Sequence, residues 1–270
     1  EEIVEPSPPP DPRSSRASEG SSFREKLAAG KFVVSVEIDP PRGIDASRLV
    51  KGAAICAANG VDAINIADSP LARARMTPLA LATLIRQNVD IEIILHMSCR
   101  DRNILGLQSE CMGSHALGTR NLLCVTGDPP QMGDYPDATG VFDVDAIGLV
   151  GLLKRLNQGN DLAGKKIDYA TDFFLGVASN PTAVDLAIEQ ERFHQKVEAG
   201  AQFTMTQPLY DLADMDRWLD EVPMTIPLLV GILPLRNGRH ADFLHHEVPG
   251  MHVPQDIRDR MHAAGDDGPR

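Results

Sequence analysis

The sequence predicts an α/β protein of the (β/α)8 type, the TIM-barrel architecture, and three observations support this prediction. Short apolar runs recur along the 270 residues, each run ends in polar residues, and each is followed by a stretch with helical periodicity. Strands of a parallel sheet that is covered on both faces appear as continuous apolar runs. Catalytic groups in such barrels lie where a strand ends and the next loop begins, so the polar ends of the runs predict the active face.

Seven runs have the length and composition of buried strands. In chain order they are VVSVEID (33–39), DAINIAD (62–68), EIILHMSC (92–99), NLLCVTGD (121–128), FFLGVASN (173–180), FTMTQPL (203–209) and PLLVGILP (227–234). Polar side chains at or near the ends of these runs are expected to converge at the mouth of the barrel. They are Glu37, Asn65, His96, Asp128, Asn180 and Gln207.

Helical signals between the runs justify the alternation. The segment 46–60 starts near Ser47, a suitable N-cap, and ends at Gly60, a suitable C-cap. A Thr-Pro pair opens the segment 77–88, as expected for an N-cap and a first helical residue. Apolar residues at three- and four-residue spacing continue the pattern in 143–159 and 184–200, and both segments end at glycine. Two further helices are expected near 239–247 and from 253 onward.

Two stretches interrupt this rhythm. Residues 1–21 are rich in proline, serine and charge and predict a flexible linker, which leaves 22–270 for the barrel. An eighth strand is not visible in the sequence, so the barrel is expected to be incomplete at its C-terminal end. The loop DPPQMGDYPDATGVFDV (128–144) exceeds a simple connection, and long loops at this position often cover a ligand.

Composition excludes several classes of protein. The net charge of −12 argues against nucleic acid as a partner, because a protein that binds phosphates needs a basic face. The sequence contains neither a run as long as a membrane span nor a signal peptide, so we expect a soluble, cytoplasmic protein. The four cysteines have no CxxC spacing, which favours reduced and mostly buried thiols over a metal role.

The polar strand ends suggest particular chemistry. Glu37 has apolar neighbours in sequence, so we expect a partly desolvated carboxyl that can act as a general acid; the alternative is a strand-end carboxylate bonded to Arg42 or to a backbone amide. His96 fits either a ligand contact or a satisfied core histidine, and with Cys99 alone it does not complete a zinc site. Gly127 permits a close backbone approach to a ligand, and the amide of Gln207 suits either a heterocycle edge or a loop cap.

Four motifs in order resemble those of the methylenetetrahydrofolate reductase family. They are Glu-x-x-Pro-Pro-Arg at 37–42, His-x-[ST]-Cys at 96–99, Gly-Asp at 127–128 and Thr-Gln at 206–207, within a match over roughly 22–262. The long loop and the proline-rich start look most like the reductase half of bifunctional proteins with an N-terminal homocysteine methyltransferase. A fused domain of that kind before residue 1 is therefore implied.

The resemblance implies an oxidoreductase that binds FAD non-covalently. NADH or NADPH would reduce the flavin and leave, and methylenetetrahydrofolate would then bind and be reduced to methyltetrahydrofolate. By the same resemblance Glu37 would protonate the folate, Asp128 would favour its cationic iminium form, and Gln207 and Leu244 would contact the folate. The residues implied in FAD binding are Asn65, His96, Val125, Thr126, Gly127, Asp128, Asn180 and Lys196. Lys196 alone, on a helix, would otherwise indicate a solvated charge.

Some positions depart from the pattern of the best-known bacterial reductases. Thr126 stands where an arginine is usual, Asn180 where a tyrosine is usual, and Asn65 where a threonine is usual. The sequence therefore leaves two alternatives open: a flavin-independent folate or corrinoid methyltransferase barrel, and a non-catalytic truncated barrel. The choice between NADH and NADPH and association into a homo-oligomer are also left open.

Overall fold

The computed structural model describes residues 23–248 and 250–265, and the predicted linker at 1–21 lies outside them. All seven predicted runs form strands, so the α/β class is confirmed. The strands are β1 (Ser35–Ile38), β2 (Ala63–Ile66), β3 (Glu92–Ser98), β4 (Asn121–Val125), β5 (Phe174–Ser179), β6 (Phe203–Pro208) and β7 (Leu228–Gly231).

Helices alternate with the strands as the periodicity predicts. They are α1 (Phe23–Ala28), α2 (Ser47–Ala58), α3 (Pro78–Arg86), α4 (Ile104–Ala116), α5 (Ala146–Asn157), α6 (Leu186–Ala199), α7 (Leu212–Glu221), α8 (Gly238–Glu247) and α9 (Gln255–Ala263). Within the described ranges the strands form one seven-stranded sheet in chain order, and the pairs β1–β2, β2–β3, β5–β6 and β6–β7 are parallel. An eighth strand is not among the described residues.

Of the two helix starts predicted from capping residues, one is confirmed and one is shifted. The Thr77 hydroxyl accepts a hydrogen bond from the Ala80 amide at the start of α3, as predicted. Ser47 is not the cap of α2 but its first helical residue, with Ala46 in the cap position. The physical reason is that the Asp45 carboxylate accepts the Ser47 amide at 2.9 Å and replaces the cap from one position further back.

The chain divides into two compact units, each with an interior of its own. The first contains residues 23–122, 126–144 and 155–174, and the second contains 123–125, 145–154, 175–248 and 250–265. In the first unit, Ile64 and Ile66 of β2, Ile93 of β3, and Leu81 and Ile85 of α3 are fully buried. This apolar interior fixes β2 and β3, and with them the polar residues at their ends.

The second unit has its own apolar clusters. Phe193 of α6 and Trp218 of α7 meet edge to face with their ring centroids 5.6 Å apart, and Met215 and Val222 complete that cluster. No helix in the described part of the chain combines the length and the apolar character needed to cross a bilayer.

Candidate active site

Three of the predicted site residues come together in the first unit. The parallel register places Glu37 of β1 beside Asn65 of β2, and Asn65 beside Ile94 of β3. His96 lies two residues after Ile94, on the same face of the strand, because side chains alternate with a period of two. The Nε2 atom of His96 is 3.9 Å from the Glu37 Oε2 atom.

Glu37 is more exposed than the sequence suggested. Its side chain is 56% exposed, so the predicted desolvation is wrong in this structure. Its sequence neighbours Val36 and Ile38 point to the opposite face of β1, whereas Ser35 and Asp39 share its face and are polar. Alternation along a strand, which a list of sequence neighbours ignores, explains the error.

His96 and Asn65 carry buried polar atoms that lack partners. Neither the Nε2 atom of His96 nor the Oδ1 atom of Asn65 has a hydrogen bond within the described chain. Burial lowers the pKa of the His96 imidazole, although the Glu37 and Asp68 carboxylates oppose that shift. An unsatisfied buried polar group costs about 1–3 kcal/mol, so two of them on neighbouring strands provide hydrogen-bonding capacity for a polar ligand.

A buried carboxylate that the sequence analysis missed fixes the ends of β2 and β3. The Asp68 side chain is 2% exposed, and it accepts hydrogen bonds from the Ser98 amide at 2.9 Å and from the Arg102 guanidinium at 2.8 Å. These two bonds tie the end of β2 to the end of β3, close after His96. Charged residues after an apolar run were the available signal, but their burial was not visible.

Gly127 and Asp128 follow β4 in a tight arrangement. Gly127 has φ +93°, and a Cβ atom there would overlap the Ser98 hydroxyl, so glycine is required by conformation and by packing. The Asp128 Oδ2 atom accepts a hydrogen bond from the Leu71 amide at 2.7 Å. Thr126 lies in the same stretch, where its carbonyl accepts the Cys99 amide at 3.2 Å.

The segment that Asp128 holds is strained. Ser69, Leu71 and Ala72 have φ of 49°, 54° and 51°, in the left-handed region that residues with a side chain rarely adopt. Each such residue costs about 1–3 kcal/mol and persists only where its surroundings enforce it. Gly133 packs directly against the Ala72 carbonyl, where a Cβ atom would overlap it. Strain of this kind concentrates at functional sites.

The long loop after β4 is anchored onto the residues that follow β3. Its amides donate to main-chain carbonyls, from Val141 to Arg100 at 2.7 Å and from Phe142 to Cys99 at 3.2 Å. A short 3-10 turn, Pro130–Met132, starts the loop. The loop is therefore fixed, near its end, to the residues that follow β3.

In the second unit, Lys196 is buried and is not the solvated charge that its helical position indicates. Its Nζ atom donates to the Ala178 carbonyl at 2.8 Å and lies 3.5 Å from Glu189. Burial lowers the pKa of the Lys196 amine, with the Glu189 carboxylate acting against that shift. The same Glu189 oxygen accepts the Asn180 amide at 3.1 Å, which joins Asn180 and Lys196 through one carboxylate.

The other predicted residues of the second unit have different surroundings. Asn180 is engaged locally, since its Oδ1 atom accepts hydrogen bonds from the Thr182 amide and hydroxyl. Gln207 is exposed at the end of β6, and Val125 ends β4. Leu244 is buried in an apolar cluster of α8. The ligand contacts assigned to these residues remain predictions.

Other features bear on metals and thiols. A cavity of about 390 Å³ in the second unit is lined in part by His245, His246 and His252. Even so, within residues 23–248 and 250–265 no three His, Cys, Asp or Glu side chains are arranged to hold a metal ion. The four cysteines are free and three are buried, as predicted, and burial raises the pKa of the Cys111 thiol to about 12.

The fold and these strand ends define a class: a parallel α/β protein whose polar groups gather where the strands of its sheet end. The family model described as methylenetetrahydrofolate reductase matches residues 22–270, and the chain belongs to that family. Methylenetetrahydrofolate reductase 1 of Schizosaccharomyces pombe is 24% identical over 71% of this chain and 30% of its own length. Methylenetetrahydrofolate reductase 2 of Saccharomyces cerevisiae is 26% identical over 66% of this chain and 29% of its own length. The chain thus spans about a third of these relatives.

A bacterial relative and two solved structures complete the comparison. The 5,10-methylenetetrahydrofolate reductase of Pectobacterium carotovorum is 26% identical over 57% of this chain and 47% of its own length. A 2,3-dimethylmalate lyase structure superposes with a TM-score of 0.54 at 10% identity, covering 88% of this chain and 76% of that one. A phosphonopyruvate hydrolase structure superposes with a TM-score of 0.52 at 13% identity, covering 77% of this chain and 69% of that one. At such identities the structures are evidence of a shared fold alone.

Proposed function

We propose that this chain reduces methylenetetrahydrofolate to methyltetrahydrofolate, with NADH or NADPH as the source of electrons and FAD as a bound cofactor. Membership of the reductase family supports the reaction, and one observation on the site carries it: the buried, unpartnered Nε2 atom of His96 that faces the exposed Glu37 carboxyl across 3.9 Å. The order of seven strands and helices supports a (β/α)8 barrel as the architecture.

Glu37 suits the role of proton donor because its carboxyl is accessible. Protonation of a ring nitrogen of the folate opens its five-membered ring and leaves a cationic carbon that can accept hydride. A donor must reach the substrate, and a half-exposed carboxyl at a strand end does so where a buried one would not. Because burial lowers the pKa of the neighbouring His96, its imidazole does not hold the Glu37 carboxylate in a charged ion pair.

Asp128 supplies negative charge at the neighbouring loop. One of its oxygens, Oδ2, is committed to the Leu71 amide, so the carboxylate has a fixed direction. An oriented anion stabilises a developing cation more than a mobile one, because no reorganisation is needed during the reaction. Asp128 thereby favours the cationic form of the folate.

The residues of the first unit fit a flavin. The unpartnered atoms Asn65 Oδ1 and His96 Nε2 offer an acceptor and a ring nitrogen to a polar heterocycle. When bound, FAD supplies hydride transfer between the nicotinamide nucleotide and the folate. FAD contacts through Val125, Thr126, Gly127, Asn180 and Lys196, and folate contacts through Gln207 and Leu244, are part of the proposal. Lys196 would have to exchange its Ala178 bond for a phosphate contact.

The test is to separate the two half-reactions in a Glu37→Gln variant. Reduction of the cofactor by NADH or NADPH should keep its wild-type rate, because no proton is delivered to folate in that step. Reduction of methylenetetrahydrofolate should fall by about 100-fold or more, since general acid catalysis typically contributes that much. Asp39→Asn, a change of a nearby carboxylate on the same strand end, is the control. Equal losses in both half-reactions would contradict the role of Glu37.

A further inference from the structure

Arg100 is a buried cation that joins three loops of the first unit. Its side chain is 3% exposed, and its guanidinium donates to the carbonyls of Ser69 and Asp128, each at 3.3 Å. It also donates to both carboxylate oxygens of Asp101, at 2.8 and 2.7 Å. The main-chain carbonyl of Arg100 accepts the Val141 amide from the long loop. One residue therefore contacts the loops that follow β2 and β4.

Arg100 and Asp128 hold the same strained segment from two sides. The Arg100 guanidinium donates a hydrogen bond to the Ser69 carbonyl, and the Asp128 carboxylate accepts one from the Leu71 amide. Ser69, Leu71 and Ala72 have positive φ, so this segment would relax to ordinary backbone angles if it were released. The direction of the Asp128 carboxylate depends on where the Leu71 amide is held.

Arg100 acts by holding the two loops in position, and its positive charge is not what the site uses. Its hydrogen bonds to Asp101 raise the pKa of the guanidinium, so the group remains charged. That charge is already matched by the bidentate Asp101 carboxylate, and a bidentate pair of this kind also fixes the plane of the guanidinium. Its remaining N–H groups are thus aimed at the two loop carbonyls.

We propose that Arg100 is the positioning residue for Asp128, acting by clamping the strained segment 69–72 against the loop that follows β4. The inference rests on the proposed function, because it takes from there the role of the Asp128 carboxylate. It adds a residue that does not touch the folate but sets how well the negative charge is aimed at it. Misplacement of a charged group by about 1 Å costs about 100-fold in rate.

Two variants of Arg100 and one matched control test the clamp. Arg100→Met keeps much of the volume and removes every donor, and Arg100→Lys restores the charge and one donor. Arg120→Met is the control, since Arg120 also donates to two main-chain carbonyls and pairs with an aspartate, but it lies away from segment 69–72.

Limited trypsin digestion of the full chain measures how readily segment 69–72 opens, and it does not depend on the catalytic activity of the protein. Arg73 and Arg75 directly follow the clamped residues, and neither is followed by proline. Cleavage after them should be at least about tenfold faster in Arg100→Met, should also be faster than in wild type in Arg100→Lys, which keeps the charge but not the planar fork, and should remain near the wild-type rate in Arg120→Met. Unchanged cleavage in Arg100→Met would overturn the clamp. If that variant does not fold, a wild-type digestion pattern and wild-type folate kinetics in Arg100→Lys would contradict the proposal.

Kinetics then connect the clamp to Asp128. In Arg100→Met we expect kcat for folate reduction to fall by about 10- to 100-fold with little change in KM, and nucleotide oxidation by an artificial acceptor to be unaffected. Adding Asp128→Asn should cause no comparable further loss, because both changes act on one group. Additive losses, or equal loss in both half-reactions, would overturn the inference. A wild-type chain that cleaves normally but never reduces folate would refute the proposed function and leave the clamp to the digestion result.

Discussion

At the scale of single residues, the candidate site combines an exposed carboxyl with polar atoms that are buried. Glu37 is half exposed, whereas the His96 ring and the Asn65 amide behind it are buried and incompletely bonded. Such buried atoms are costly without a partner, and a bound ligand is one way to satisfy them. The neutral state of His96 follows from its burial and makes the site sensitive to acid.

We therefore expect a histidine-dependent loss of stability in mild acid. The folded pKa of His96 lies below the unfolded value of 6.5, so the unfolded chain takes up the proton first as the pH falls. The stability from this group is complete above pH 6.5 and is lost as the pH falls through that value towards the folded pKa.

Urea unfolding at about pH 7.5 and about pH 5.5 measures this effect. His96→Gln should reduce the difference in unfolding free energy between the two conditions. It should not abolish it, because burial also lowers the pKa of His115, His240 and His245. The control is His194→Gln, a change of an exposed histidine on α6. The same pH dependence in wild type and His96→Gln would show that His96 is not held neutral.

The sequence identifies some of these residues and not others, for physical reasons. Glu37, His96 and Asp128 end apolar runs, which is a local signal. Asp68 and Arg100 connect loops through partners about 30 positions away, such as the Ser98 amide and the Asp128 carbonyl. Burial of a charge depends on such partners, so composition and spacing did not predict it.

At the scale of elements, the strands are predictable from the sequence, whereas the ends of some helices are not. Seven apolar runs specify β1 to β7 because a buried parallel strand is apolar on both sides. Two short features were missed: the one-residue shift at the start of α2, which Asp45 causes, and helix α1, which is only six residues long. Local hydrogen bonds decide such ends, and periodicity is too coarse to predict them.

Contact between β5 and β6 gives a prediction about stability. Gly176 pairs with Phe203 across these strands, and a Cβ atom at Gly176 would overlap the Phe203 ring. Gly176→Ala should lower the free energy of unfolding by about 1–3 kcal/mol, because the buried ring has no room to move. The measurement is urea unfolding at neutral pH.

A glycine in open space is the matched control for that change. Gly52 lies within α2, and a Cβ atom there would meet nothing within 4 Å. Gly52→Ala should raise the free energy of unfolding by about 0.5–1 kcal/mol through helix propensity alone. Equal effects of the two substitutions would contradict the close packing of Gly176 against Phe203.

At the scale of the whole molecule, family membership supports the proposed reaction, and the geometry of the site supports the proposed role of Arg100. The family model covers 22–270, although the first relatives share only 24–26% of residues over the aligned parts. Segment 69–72 and its contact with Arg100 are features of this chain's own structure, and the proposed clamp is argued from them and not from the family.

The most direct test of the proposed reduction is an anaerobic absorbance titration of the purified chain with added FAD. We expect bound flavin, bleaching of its absorbance by NADH or NADPH, and recovery of that absorbance on addition of methylenetetrahydrofolate with formation of methyltetrahydrofolate. A folded chain that binds no flavin, or a reduced flavin that methylenetetrahydrofolate does not reoxidise, would contradict it.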